Sequence, residues 1–137
     1  ALCFGWIDST VKTLDEEHTM QRFTPRKPGS SVSQANRERL KWLMKQERIH
    51  PPVKKAVKEI IKTDFRFPDD ILQAIREDAL AWKNFQGFSE SYKRIRIAYI
   101  DGARKRPEEF EKRLANFLDR TRQNRLIKGF GGIDKYY

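Results

Sequence analysis

From Arg22 to Ser33 the chain runs Arg-Phe-Thr-Pro-Arg-Lys-Pro-Gly-Ser-Ser-Val-Ser, placing three cations, two prolines, a glycine and three serine hydroxyls in one short stretch. Arginine presents a planar fork that matches carboxylate and phosphate oxygens, and a helix beginning just after the stretch offers free N–H groups at its positive end. The chemistry these residues can perform is the reception of an anion. Arg22, Arg26 and Lys27 would supply charge, and Ser31 and Ser33 would add hydroxyl donors. The competing reading is structural: Ser31 caps the next helix and the cations keep the loop soluble.

Other constellations carry less. Asp8 and Asp15 do not declare a paired-carboxylate site, because acid and base partners are defined in space and not by this spacing. His18, His50 and Cys3 lack ligand spacings such as C-x-x-C or H-x-x-x-H, so no metal and no cofactor is implied. Cys3, flanked by apolar residues, fits an inert buried thiol better than a nucleophile. Arg94, Arg96, Arg104, Lys105 and Arg106 interleave with Tyr92 and Tyr99 in a manner used on nucleic acids. Helical spacing puts the tyrosines on the face of Ile95 and Ala103, however, which makes them core edge and leaves the arginines as a solvated face. Trp6, Trp42 and Trp82 are expected in or at the edge of a core.

The elements that must position the loop can be laid out from periodicity. Ala1 to Phe4 suits the last turn of a helix with Gly5 near its end. A hairpin is predicted over 8–24, its turn at Asp15-Glu16-Glu17 and its second strand stopped by Pro25. Ser31 and Gln34 have capping-box spacing and open a helix that ends at Pro51-Pro52. Val53, Ala56, Val57, Ile60 and Ile61 follow the amphipathic template in full. After the break at Phe65-Arg66-Phe67-Pro68, Asp69-Asp70 starts an apolar stripe from Ile71 to Trp82, and Ser89 caps a helix through Tyr92, Ile95 and Tyr99. Pro107 opens a last helix carrying Phe110, Leu114, Phe117 and Leu118, with Arg120, Arg122, Arg125 and Lys128 toward its end. Residues 129–137, with three glycines and no helical period, are predicted to form a tail.

Composition sets the limits. At 137 residues the chain suits one domain, and 12% aromatic residues argue against disorder despite 35% charged residues. No apolar run is long enough to cross a membrane as a helix, and a single cysteine suits a reducing cytoplasm, the expected location. A net charge of +10 favours acidic partners, nucleic acid among them. The charge is uneven: residues 18 to 48 hold eight cations and two anions, residues 68 to 91 two and five, and residues 92 to 137 thirteen and six.

Ala-Leu-Cys-Phe-Gly-Trp-Ile-Asp-Ser at 1–9, followed by Gln-Arg-Phe-Thr-Pro-Arg-Lys at 21–27, resembles the YdeI/OmpD-associated, or bacteriocin-protection, family. Ser30, Ser33, Asn36 and Arg39 fit its S-x-x-S-x-x-N-x-x-R pattern, with Val32 where tryptophan is frequent, and residues 68 to 126 are similar to its helical C-terminal segment. Members usually carry a helix-strand-helix segment ahead of the Ala-Leu-Cys-Phe run, so the resemblance implies that the start of the fold lies outside this chain. It implies no established catalytic chemistry. Capture of cationic antimicrobial peptides is disfavoured, because like charges repel at long range.

The expectation is a helix-rich α+β domain spanning 1–128, with a hairpin at 8–24 and its basic loop on a bundle of about five helices over 31–128. A binding protein is favoured over an enzyme. Arg22, Arg26, Lys27, Ser31, Ser33 and Asn36 would engage an anionic small molecule or an acidic protein surface. Two alternatives stand beside it: a nucleic-acid module using the basic C-terminal helices, and an enzyme whose site includes Trp6, Asp8 and the loop. The pattern leaves the oligomeric state open.

Overall fold

A computed structural model of the chain describes residues 1–128; the tail expected at 129–137 lies outside the described residues. The chain packs as two compact units, one spanning Ala1–Thr63 and the other beginning at Asp64. The division falls inside the stretch 31–128 that the apolar periodicity treats as one helical region. Its physical basis is a pair of separate apolar clusters, with Leu40, Leu43, Ile49 and Val57 at the centre of one and Ile71, Ile75, Tyr92 and Phe117 at the centre of the other.

The first unit opens with a single 3-10 turn, Leu2–Phe4, which feeds strand β1 (Trp6–Thr13), strand β2 (Thr19–Pro25), helix α1 (Gln34–Lys45), a second 3-10 turn (Pro51–Val53) and helix α2 (Lys54–Lys62). The strands pair antiparallel from Trp6 opposite Pro25 to Thr13 opposite Thr19. Pro25 therefore joins β2 as its last residue, an end position where a missing N–H costs nothing. At the turn, the Asp15 carboxylate accepts from the amides of Glu17 and His18 at 3.0 and 2.9 Å. Gly5 ends the first 3-10 turn in the left-handed region (φ 70°), and a Cβ there would lie 3.1 Å from Val53 Cγ1. Glycine is required on both counts.

The capping box expected at Ser31 and Gln34 does not form. Ser33 is the cap: its extended backbone lets its hydroxyl accept from the Asn36 amide at 3.3 Å, while Gln34 Nε2 donates to Glu38. Helix α1 also stops at Lys45, well before Pro51, because Glu47 turns to a positive φ of 56°. In α2, Val57 alone of the predicted stripe is fully buried; Ile60 and Ile61 pack at the edge of the cluster and Ala56 faces solvent. The Arg37 guanidinium donates to the Ile60 carbonyl, satisfying an acceptor near the α2 C-terminus.

The second unit is helical, with α3 (Asp69–Arg76), α4 (Ala79–Gly87), α5 (Glu90–Asp101) and α6 (Pro107–Arg122). Among the described residues, six α-helices and a two-stranded hairpin bear out the helix-rich α+β expectation. The stripe from Ile71 to Trp82 is two helices and not one, since Asp78 leaves helical geometry and its carboxylate accepts from the Leu80 and Ala81 amides. Ser89 caps α5 as expected, accepting from Tyr92, and Pro107 occupies the first turn of α6. The last helix ends at Arg122, where Asn124 takes a φ of 54°, so Arg125 and Lys128 lie beyond it. Asn84 Nδ2 donates to the carbonyls of Thr121 and Arg122, and Arg122 Nε donates to Asp78 at 2.6 Å. Asn84 of α4 thus satisfies carbonyls left open at the end of α6, and Arg122 pairs with the carboxylate that caps α4.

Two predictions follow from these junctions. Gly5→Val should lower stability by about 1–2 kcal/mol or more, from the left-handed backbone alone, read as a lower urea midpoint. The Ala81 amide, the Arg122 guanidinium and the Leu80 amide hold the Asp78 carboxyl below the ordinary aspartate value of 3.8. Its contribution is present above that value and is lost as pH falls through the depressed folded value. Asp78→Asn keeps a cap acceptor without the charge, so the gap in thermal midpoint between native and variant should be widest near neutrality and narrow as pH falls through the depressed value of the Asp78 carboxyl.

Candidate functional site

The hairpin projects from the first unit with little covering it. Only Ile7, Ser9 and Thr24 at its base are half-buried, and every residue from Thr10 to Phe23 is exposed. A two-stranded ribbon buries too little surface to be stable by itself, so its base must be pinned. Backbone bonds do this: Arg26 N–H donates to the Gly5 carbonyl at 2.9 Å, Trp6 N–H to Ala1 at 3.1 Å, and His50 N–H to Cys3 at 2.9 Å.

Register decides what the ribbon shows. Trp6 lies opposite Pro25 and Asp8 opposite Phe23 on one face. Pairing then skips from Asp8–Phe23 to Val11–Gln21, so Ser9 and Thr10 together face Arg22. Such a bulge turns the local side chain away from its regular direction. Ser9 Oγ donates to the Arg22 carbonyl at 3.3 Å, holding the backbone there. Trp6, Phe23, Phe4 and Ala1 line an open apolar hollow of about 340 Å3. The three aromatic rings remain 42%, 47% and 57% exposed, respectively. Trp6 is therefore a surface residue, contrary to its expected place at a core edge: no layer packs on that face of the ribbon. Trp42 and Trp82 do pack against the two clusters.

The loop does not gather all its cations outward. Arg26 folds back and donates to the Ser31 carbonyl at 2.9 Å and to Ser30 Oγ at 3.4 Å, while Ser30 Oγ donates to the Lys27 carbonyl at 2.8 Å. The guanidinium expected to receive an anion instead closes the loop on itself. Ser33 is occupied as the α1 cap, and Asn36 Oδ1 accepts from Arg39 at 2.8 Å. Among the described residues no hydrogen bond or ion pair holds the side chains of Lys12, Arg22 or Lys27. Asp8 is exposed on the aromatic face, and Ser31 is exposed with only its carbonyl engaged. The sequence reading missed Phe4 and Phe23. Their signal was their position, one in the turn before β1 and one across the ladder from Asp8, where alternation places a ring on the face of Trp6.

The arginines of the helical half have varied fates. Arg104 forms a two-pronged pair with Asp70 at 2.8 and 3.1 Å and also donates to Asp101. Arg113 binds Glu109 at 2.8 Å and lies over the Tyr99 ring at 3.8 Å. Arg96, expected on a solvated face, is 3% exposed: its guanidinium donates to the Ile127 carbonyl and lies near the Tyr92 ring. Its position between Tyr92 and Ile100 on α5 turns it inward. Both tyrosines were expected at the core edge: Tyr92 is instead fully buried and Tyr99 is exposed, its ring covered on one side by Arg113. Among the described residues, no three His, Cys, Asp or Glu side chains gather as a metal would require, and no helix is long and apolar enough to cross a membrane.

No curated protein and no solved structure matches the chain. Two family descriptions do. Residues 1–56 match one described as a domain of unknown function (DUF8412), and this range holds the Ala-Leu-Cys-Phe and Gln-Arg-Phe-Thr-Pro-Arg-Lys runs that carried the resemblance. Residues 64–124 match one described as Bacteriocin-protection, YdeI or OmpD-Associated, and they coincide with helices α3 to α6. The helical unit that starts after Thr63 is thus the part of the chain that is similar to the YdeI/OmpD-associated, bacteriocin-protection family.

Proposed function

We propose that the chain is a non-enzymatic binding protein whose hairpin and basic loop engage an acidic protein surface. The observation that carries this reading is the mixed character of the projecting ribbon. Trp6, Val11, Met20 and Phe23 are exposed beside the unengaged cations Lys12, Arg22 and Lys27. Exposed aromatic and arginine side chains are the usual anchors of protein interfaces, and complementary charge selects and orients the partner. A compact phosphate site is less well supported, because Arg26 is spent within the loop and Ser33 within a helix cap. Ser31 is exposed and would add a secondary polar contact, whereas Asn36 is engaged by Arg39 and the Asp8 carboxylate would disfavour an acidic partner at its own position. The ion pairs of Arg104, Arg113 and Arg122 reduce the charge available to nucleic acid on the helical half.

Poly-L-glutamate serves as an acidic polypeptide probe. In an NMR titration at low salt it should shift amide resonances between residues 11 and 27, and Arg22→Glu with Lys27→Glu should weaken binding by about ten-fold or more. Phe23→Ser should weaken it further without removing charge. Equal binding by native and charge-reversed chains would end the proposal. A single-stranded oligonucleotide that binds the same face more tightly, with a steep salt slope, would replace the acidic protein with nucleic acid.

A further inference from the structure

The helical unit contains a hollow of about 320 Å3 between α5 and α6, closed at one end by Ile127 and Lys128. Helical spacing builds its walls. Arg96, Tyr99 and Ile100 stand at i, i+3 and i+4 on α5, while Lys112, Arg113, Asn116 and Phe117 line the facing side of α6. Tyr92 ties down the closing segment, its hydroxyl accepting from the Ile127 amide at 3.0 Å.

The lining divides by chemistry. Ile100, Phe117 and Ile127 form an apolar interior, and Phe117 is almost wholly buried. Arg96, Lys112, Arg113 and Lys128 bring four positive charges against the one carboxylate of Glu109. Arg113 binds that carboxylate at 2.8 Å and holds its carboxyl below the usual glutamate range. No hydrogen bond or ion pair engages Lys112 or Lys128 among the described residues. Arg96 lies almost fully buried, donating to the Ile127 carbonyl. A concave site with low-dielectric walls and one sign of charge concentrates the opposite charge within it. Its volume falls at the small end of known ligand pockets.

We propose that this hollow binds a small organic monocarboxylate with an apolar body. The carboxylate would sit between Lys112 and Lys128 and the body against Ile100, Phe117 and Ile127. At protein-like packing density the volume suits a ligand of about ten to fifteen non-hydrogen atoms. The site is separate from the hairpin and does not depend on the function proposed for it. An inorganic anion would satisfy the charges and leave the apolar interior unused. A neutral apolar molecule would do the reverse.

The test uses 3-phenylpropionate and octanoate as probes, with 3-phenylpropanol and inorganic phosphate as the two half-ligands, followed by NMR on the Ile100 and Ile127 methyl groups. The carboxylates should saturate with a Kd below about 1 mM, and each half-ligand should bind at least about ten-fold more weakly. Lys112→Ala with Lys128→Ala, both at exposed positions, should weaken 3-phenylpropionate by about ten-fold or more while leaving the thermal midpoint in place. Asn116→Trp, which fills the hollow from its exposed rim, should abolish binding. Either half-ligand binding as well as the carboxylates, unchanged affinity in both variants, or no saturation by any carboxylate would overturn the proposal.

Discussion

The amide of Arg26 donates to the carbonyl of Gly5, and the hairpin and the loop after it both hang on that bond. It closes the base of a ribbon whose outer residues contribute almost no burial. Gly5 can offer its carbonyl there because it sits in the left-handed region with Val53 packed where a side chain would be. His50, donating to Cys3, ties the same turn to the segment before α2. Three backbone hydrogen bonds and one missing Cβ therefore decide where Trp6, Phe23 and Arg22 are displayed.

Charge in this protein has two uses that composition does not separate. Arg37, Arg96, Arg104, Arg113 and Arg122 are structural: each guanidinium meets a carbonyl or a carboxylate. Their planar, multiply donating heads suit such work, because a single side chain can satisfy several acceptors left open where helices end. The lysines at positions 12, 27, 112 and 128 are not held this way. Lysine keeps a compact, strongly hydrated charge at the end of a flexible stem, and it remains at the surface unless a partner covers it. The net charge of +10 thus overstates what the helical surface offers to an anion.

Helix ends were legible wherever one short side chain decided them locally. Ser89 and Pro107 are plain starts, and the amphipathic repeat of α2 locates that helix within a residue or two. The capping-box spacing pointed to Ser31, but Ser33 caps α1, and the Ser31 carbonyl accepts from Arg26 instead. Asp78 was hidden within a continuous apolar stripe, and its role as a cap emerges only beside Ala81 and Arg122. Of the predicted site residues, Arg22, Lys27, Trp6 and Asp8 share the exposed hairpin region, whereas Arg26, Ser33 and Asn36 are spent in local hydrogen bonds.

The residue order by itself determined the class of fold, most of the helix starts and the sign of the net charge. These rest on short-range periodicity, on caps and on counts of charge, all of which can be read along the chain. Tertiary structure alone decided which cations are free, which aromatics face water and where two helices leave a hollow. Those outcomes depend on distances between residues far apart in sequence, such as Arg104 and Asp70 or Arg96 and Ile127, and on whether a second layer covers a given face.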